Sequence, residues 1–568
     1  MPLKTARTLL LAATLAAALP PLALQAEADA GSYLAARQAG MDRDFAAAAR
    51  YFEQSLRGDP DNAGLLDSLV IARMALGDLD GALPAARRMN ELGHESVYAR
   101  VAVMTALVRD EDWEGVFGQL ESGQSIGPLV DGLIQGWAFL GEGKVSRALD
   151  SFDEVADTQG LIAFGLYHKA LALASVGDFE GADAIFSMPP TEGMQRTKRS
   201  ALAHAEVLSQ LGRNPDAVAM LDATFGRDPE PTVSALRARL AAGEPVPYSF
   251  VRTPQDGVAE VFFTVASAFV EEADESFLLL YTRAAELLRP DHAEALILTG
   301  RLLDRLGRHE LANEAFSRIS PQDPAFFAAE MGRADALRSG GKVDAAIEVL
   351  QALTRSHGEV SLVHATLGDF LRQTQDYAAA NDAYTRALDL QSDNDPARWF
   401  VLYTRAITFE RMDRWDEAEA DFRASLALNP GHPSVLNYLG YSLVEKQIKL
   451  DEALSMIEQA VDAQPDNGAI VDSLGWVLYR LGRYDDAIVH MEHAAALEPL
   501  DPVINDHLGD VLWAVGREIE ARFQWRRALS FNPEEAEAER IRRKLEVGLD
   551  IVLEEEGAAP LSVARDDR

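Results

Sequence analysis

His490 and His493 lie three residues apart, with His507 further along the chain, and histidines at that spacing on one helix could share a metal ion. Asp485-Asp486 and Glu534-Glu535 offer adjacent carboxylates of the kind used in acid–base chemistry. Neither pattern grows into a site. His490 and His493 flank Met491 and Ala494, which form the apolar stripe of a helix, so both histidines read as half-exposed surface. The paired acids stand where helices begin, and negative charge suits that end of the helix dipole. The chain has no cysteine, no Gly-rich loop leading into Lys-Ser/Thr and no His-Glu-x-x-His. The expectation is a non-enzyme with no catalytic residue, no cofactor and no metal.

The elements around these residues repeat. Ala453, Ala487 and Ala521 recur every 34 residues, as do Pro465, Pro499 and Pro533, while Gly475 and Gly509 keep the same step. A fixed period of this size marks a stacked repeat array. In 468–501, Val471, Leu474, Gly475 and Leu478 share one face of a first helix, which Leu481-Gly482 ends. Ala487, Met491 and Ala494 form the inner stripe of a second helix, closed by Pro499. Small residues at 475, 487 and 494 let the two helices approach closely. The same pattern fills 502–535, and it fills 433–467 with one extra residue in the turn near Ile448. Units at 399–432, 361–394 and 293–326 follow it, with looser ones toward the N-terminus.

This small/large pattern resembles the tetratricopeptide repeat. The resemblance implies an all-α fold, an α-solenoid of tetratricopeptide-type helical hairpins in a right-handed superhelix. Each hairpin buries its face on its neighbours, so 568 residues need no single compact core. The expected organisation is a degenerate array over 29–230, a joint over 231–257, a C-terminal array over 258–545 and an acidic disordered tail over 546–568. The joint is read from Pro231, Pro245, Pro247 and Pro254; a long loop inside one continuous superhelix is the other reading of the same residues.

Residues 1–28 read as a secretory signal: Lys4 and Arg7, an apolar run from Leu9 to Leu19, Pro20-Pro21, then small residues at Ala26 and Ala28. Whether it is cleaved or kept as an anchor stays open, and no other apolar run is long enough for an integral span after its removal. The net charge of −37, from 90 acidic and 53 basic residues, sets the surface against nucleic acid and anionic membrane. The basic run from Arg517 to Lys544 is interspersed with Glu and reads as a capping helix with paired charges. Export of a cysteine-free chain fits a Gram-negative periplasm, peripheral to the envelope.

In a tetratricopeptide array the first helix of each hairpin lines the concave side. Its outward positions here are Phe400, Tyr403, Asn437, Tyr441, Asp472, Trp476, Tyr479, Asp506, Asp510 and Trp513. Aromatics among a few carboxylates and an amide suit recognition of a protein partner. Packing of Trp476 and Tyr479 against the neighbouring first helix is the competing reading.

The runs Leu436-Asn437-Tyr438-Leu439-Gly440-Tyr441, Asp472-Ser473-Leu474-Gly475-Trp476 and His507-Leu508-Gly509-Asp510 resemble a narrower family. These are bacterial exported tetratricopeptide proteins related to the lipoprotein partner of a carboxyl-terminal processing protease. The resemblance implies a scaffold or adaptor that binds such a protease and its cell-wall hydrolase substrates. The chain departs from that family in having no cysteine to carry a lipid. A structural subunit of an envelope or polysaccharide-export assembly is the alternative.

Overall fold

The computed structural model describes residues 22–194, 196–226, 230–558 and 561. Among them are 31 helices and no strand, and the fold is an all-α tetratricopeptide-type solenoid. The expected signal lies outside the described residues as far as 21, and the Leu22–Met41 helix runs through its last positions. No helix among the described residues is long and apolar enough to cross a membrane. The chain divides into two compact units, Met1–Leu353 and Thr354–Arg568.

In the second unit the hairpins follow the sequence period. Pro433–Glu445 pairs with Leu450–Ala463, Gly468–Arg480 with Tyr484–Leu497, and Pro502–Ala514 with Glu518–Ser530. Each first helix carries a glycine where its partner presses closest. A Cβ on Gly475 would meet Met491 Cγ at 2.8 Å, and one on Gly509 would meet Trp525 Cδ1 at 2.4 Å. The extra residue of the 433–467 unit sits in the turn 446–449, where Gln447 (φ 55°) and Lys449 (φ 51°) are both left-handed. The tail expected from 546 onward begins instead with a helix, Leu549–Glu555, whose Leu549 and Val552 are buried. Of the remainder, 559, 560 and 562–568 lie outside the described residues.

The first unit departs further from the sequence reading. The Pro-rich stretch 231–257, expected as a joint, lies inside this unit. Pro231 and Pro254 each open a helix, Pro231–Ala241 and Pro254–Ala268, where a missing N–H costs nothing. Between them Val246, Phe250 and Val251 are buried in the core.

The hairpin that follows, Pro254–Ala268 with Glu275–Leu288, lies against first helices of the preceding array. It packs on Ala63–Ala75, Val97–Arg109, Pro128–Gly141 and Ile162–Ser175. These first helices are therefore covered by a later part of the same chain. Trp137, fully buried, packs so tightly on Gly257 that a Cβ there would come within 2.2 Å of the indole. The indole N–H donates to His168 Nδ1 at 3.1 Å, and Arg283 Nε donates to the Ala75 carbonyl at 3.0 Å.

Candidate functional site

The ten outward positions of the first helices divide into two groups. From Phe400 to Tyr441 the face is half open. Phe400 is 43 % exposed, with its ring 6.3 Å from that of Tyr403. Tyr403 is half-buried, 6.1 Å from both Phe422 and Tyr438. Asn437 and Tyr441 are half-buried too, and Asn437 Oδ1 is an enclosed acceptor that no hydrogen bond reaches. Burial, with Glu445 and Asp472 nearby, raises the Tyr441 hydroxyl, which stays protonated as a donor.

From Asp472 onward the same helical phase leads inward. Trp476 and Tyr479 are each 7 % exposed and stack at 4.9 Å. The other side of Trp476 lies on the His507 ring at 4.0 Å and 12°, and its N–H donates to Glu445 Oε1 at 2.6 Å. Asp472 is buried and paired to His507 Nδ1 at 2.9 Å. Burial pulls the His507 pKa down, but Asp472, Asp506 and Asp510 outweigh it, and the net direction is upward.

Asp506 and Asp510 are held by Lys544, whose ammonium is fully buried at 2.8 Å from Asp506 Oδ2 and 2.6 Å from Asp510 Oδ1. Trp513 is half-buried, donates to Asp550 Oδ2 at 3.0 Å and has Arg522 over its ring at 5.3 Å. The C-terminal helices thus engage this end of the strip. Arg517, Arg540, Arg542 and Arg543 are likewise each paired with a glutamate.

The structure therefore brings Phe400 and Tyr403 together and leaves them, like Asn437 and Tyr441, at least partly exposed. Asp472, Trp476, Tyr479, Asp506, Asp510 and Trp513 are engaged in contacts within the second unit. Repeat phase identifies which side of a first helix a residue occupies, but the next repeat decides what covers it. Glu445 and Lys544, the two groups that complete the inner cluster, are not among the sequence candidates. The 35-residue step from Asp472 to His507, one residue beyond the period, is the readable signal for their pairing.

His490 is half-buried and His493 exposed. Among the described residues no group of three or more His, Asp or Glu side chains is placed to hold a metal ion.

The tetratricopeptide repeat family model matches residues 278–325, 331–396, 403–448 and 445–502. A TPR repeat-containing protein of Pseudomonas aeruginosa is 27 % identical over 185 residues, which are 32 % of this chain and 30 % of the relative. The chain thus matches under a third of that protein's length. Among solved structures, a tetratricopeptide repeat protein from Parabacteroides merdae is 16 % identical. That alignment covers 45 % of this chain and 98 % of the other, with a TM-score of 0.38. Yeast Tom70 is also 16 % identical, over 94 % of this chain and 99 % of its own, with a TM-score of 0.33. Four stretches within residues 278–502 thus match the tetratricopeptide repeat model, over less than half of the chain.

Proposed function

We propose that this is a non-catalytic scaffold, exported to the periplasm of a Gram-negative bacterium and peripheral to its envelope, that binds protein partners on the Phe400–Tyr441 face. The observation that carries the reading is the exposed Phe400 ring beside the half-buried Tyr403 ring on a first helix. Exposed aromatics supply contact area at low entropic cost. The family resemblance names the partner class, a carboxyl-terminal processing protease together with cell-wall hydrolases brought to it. Support for export is the basic start, the apolar run and the small residues of positions 1–28.

The test is affinity capture from periplasmic extract with the native chain and with Phe400→Ala/Tyr403→Ala. Retention of a processing-type serine protease by the native chain, and its loss from the variant at unchanged helicity, is the expected result. Equal recovery of envelope-synthesis subunits by both proteins would replace the adaptor reading with that of a structural subunit.

A further inference from the structure

The first unit holds a pocket of about 630 Å³, lined by the Ile162–Ser175 and Pro254–Ala268 helices and by the start of Lys198–Gln210. That volume is in the range of small-molecule sites. Behind its lining lies a charged cluster that joins Glu260 of the 254–288 hairpin to Arg199 and Glu294 of the neighbouring helices. Glu260, fully buried, takes Arg199 in two hydrogen bonds of 2.6 Å and accepts the Tyr167 hydroxyl at 2.8 Å. Arg199 is fixed between the rings of Phe250 and Phe263, at 4.8 and 5.1 Å, and reaches Glu294 Oε1 at 2.7 Å.

His292 Nδ1 accepts the Ala295 N–H at 3.2 Å, and its Nε2 lies 3.2 Å from both Glu260 Oε2 and Arg199 Nη2. One guanidinium thus faces two carboxylates. Glu294 is the carboxylate in excess: it lines the pocket and its side chain is 37 % exposed. Its Oε2 lies 3.7 Å from His292 Nδ1. Burial pushes the Glu294 pKa up, yet Arg199 outweighs burial and keeps it below the usual range. Lys198, at the rim, is already paired with Glu230. Around this charge the walls are apolar, with Phe164 and an exposed Phe269, and Thr264 Oγ1 is enclosed and unpaired.

We propose that this pocket binds a small organic ammonium: an amine seated on Glu294, with its aromatic or aliphatic stem against Phe164 and Phe269. Charge complementarity selects the cation, because an anion would meet a surplus carboxylate. The apolar walls select a stem, because a bare ammonium ion would leave them wet. The site is distinct from the partner-binding face and stands whether or not that face binds a protease.

Calorimetric titration of the full-length chain with phenethylamine tests it, alongside phenethyl alcohol and 3-phenylpropionate as neutral and anionic isosteres. Phenethylamine should bind at least tenfold more tightly than the alcohol, and the carboxylate should give no heat. Glu294→Gln should weaken the amine at least tenfold, and Phe269→Ala, at an exposed position, should weaken it severalfold without changing the melting temperature. Equal binding of the three compounds, or amine binding unaffected by both variants, would overturn the proposal. So would binding of a Phe-Lys peptide with none of phenethylamine, which would make the pocket a peptide anchor.

Discussion

Lys544 is a cation with no exposed surface, and it balances two carboxylates that are themselves buried or nearly so. Removing one partner of such a cluster leaves uncompensated charge, which typically costs about 3–5 kcal/mol. Lys544→Met keeps the volume and removes the charge, and it should cost the second unit about 3 kcal/mol of stability, read from its denaturant midpoint.

His507 and Glu206 give the two units pH dependences that can be read separately. The fold raises the His507 pKa, so it favours the protonated ring. That stabilisation is complete below the ordinary histidine value near 6.5 and disappears as pH rises through the higher folded value. His507→Asn should flatten this loss, as seen in denaturant midpoints of the second unit taken from pH 6 to 9. Glu206 is pushed up to about 7 by burial, against hydrogen bonds from the Ser249 N–H and hydroxyl. A carboxyl raised in the fold stabilises below its unfolded value near 4.5 and loses that contribution as pH climbs toward 7. Glu206→Gln should therefore stabilise the first unit at pH 8 by about 2 kcal/mol and have little effect at pH 4.5. An equal effect at both pH values would rule out the titration of Glu206 as its cause.

At the scale of elements, the hairpin 254–288 shows what sequence pattern reaches and where it stops. Hairpins of the second unit are legible in the sequence because Gly475, Ala487 and Ala494 repeat a local rule, small residues where two adjacent helices touch. The lodging of 254–288 against 63–75 and 97–109 depends on contacts between segments far apart in the chain, and no local rule encodes them. Proline density at 231–257 reads as a break between arrays only while its surroundings are unknown. Pro231 and Pro254 are helix openers, and the apolar Val246, Phe250 and Val251 tie the stretch into the core.

A matched pair of glycines tests the lodging. Gly118 is exposed inside a helix, and a Cβ added there would have nothing within 4 Å, so Gly118→Ala should stabilise by about 0.5–1 kcal/mol. Gly257 is also helical, yet a Cβ there would sit 2.2 Å from Trp137. Overpacking of that kind costs typically about 1–3 kcal/mol, which exceeds the helix-propensity gain. Gly257→Ala should therefore destabilise, the opposite sign to Gly118→Ala in the same denaturant titration. Stabilisation by both would mean that the hairpin does not press on Trp137 in solution.

For the whole molecule the governing quantity is the net charge of −37. Many surface cations are already paired at short range, as Arg423 is with Glu419 and Glu452 or Arg517 with Glu492. Exposed pairs of this sort contribute on the order of 0–1 kcal/mol each, whereas the 37 excess carboxylates repel over longer distances. Salt acts on the two unequally. A Debye length near 8 Å at physiological ionic strength screens repulsion between distant carboxylates more completely than contacts of about 3 Å. Sodium chloride should thus raise the melting temperature, by about 3 °C between 20 and 200 mM. The same screening should slow association with a basic partner, since the field that strains the fold also draws such a partner in. A melting temperature that falls with salt would instead show that local ion pairs outweigh the long-range repulsion. The carboxylate surplus would then have no measurable cost to the fold.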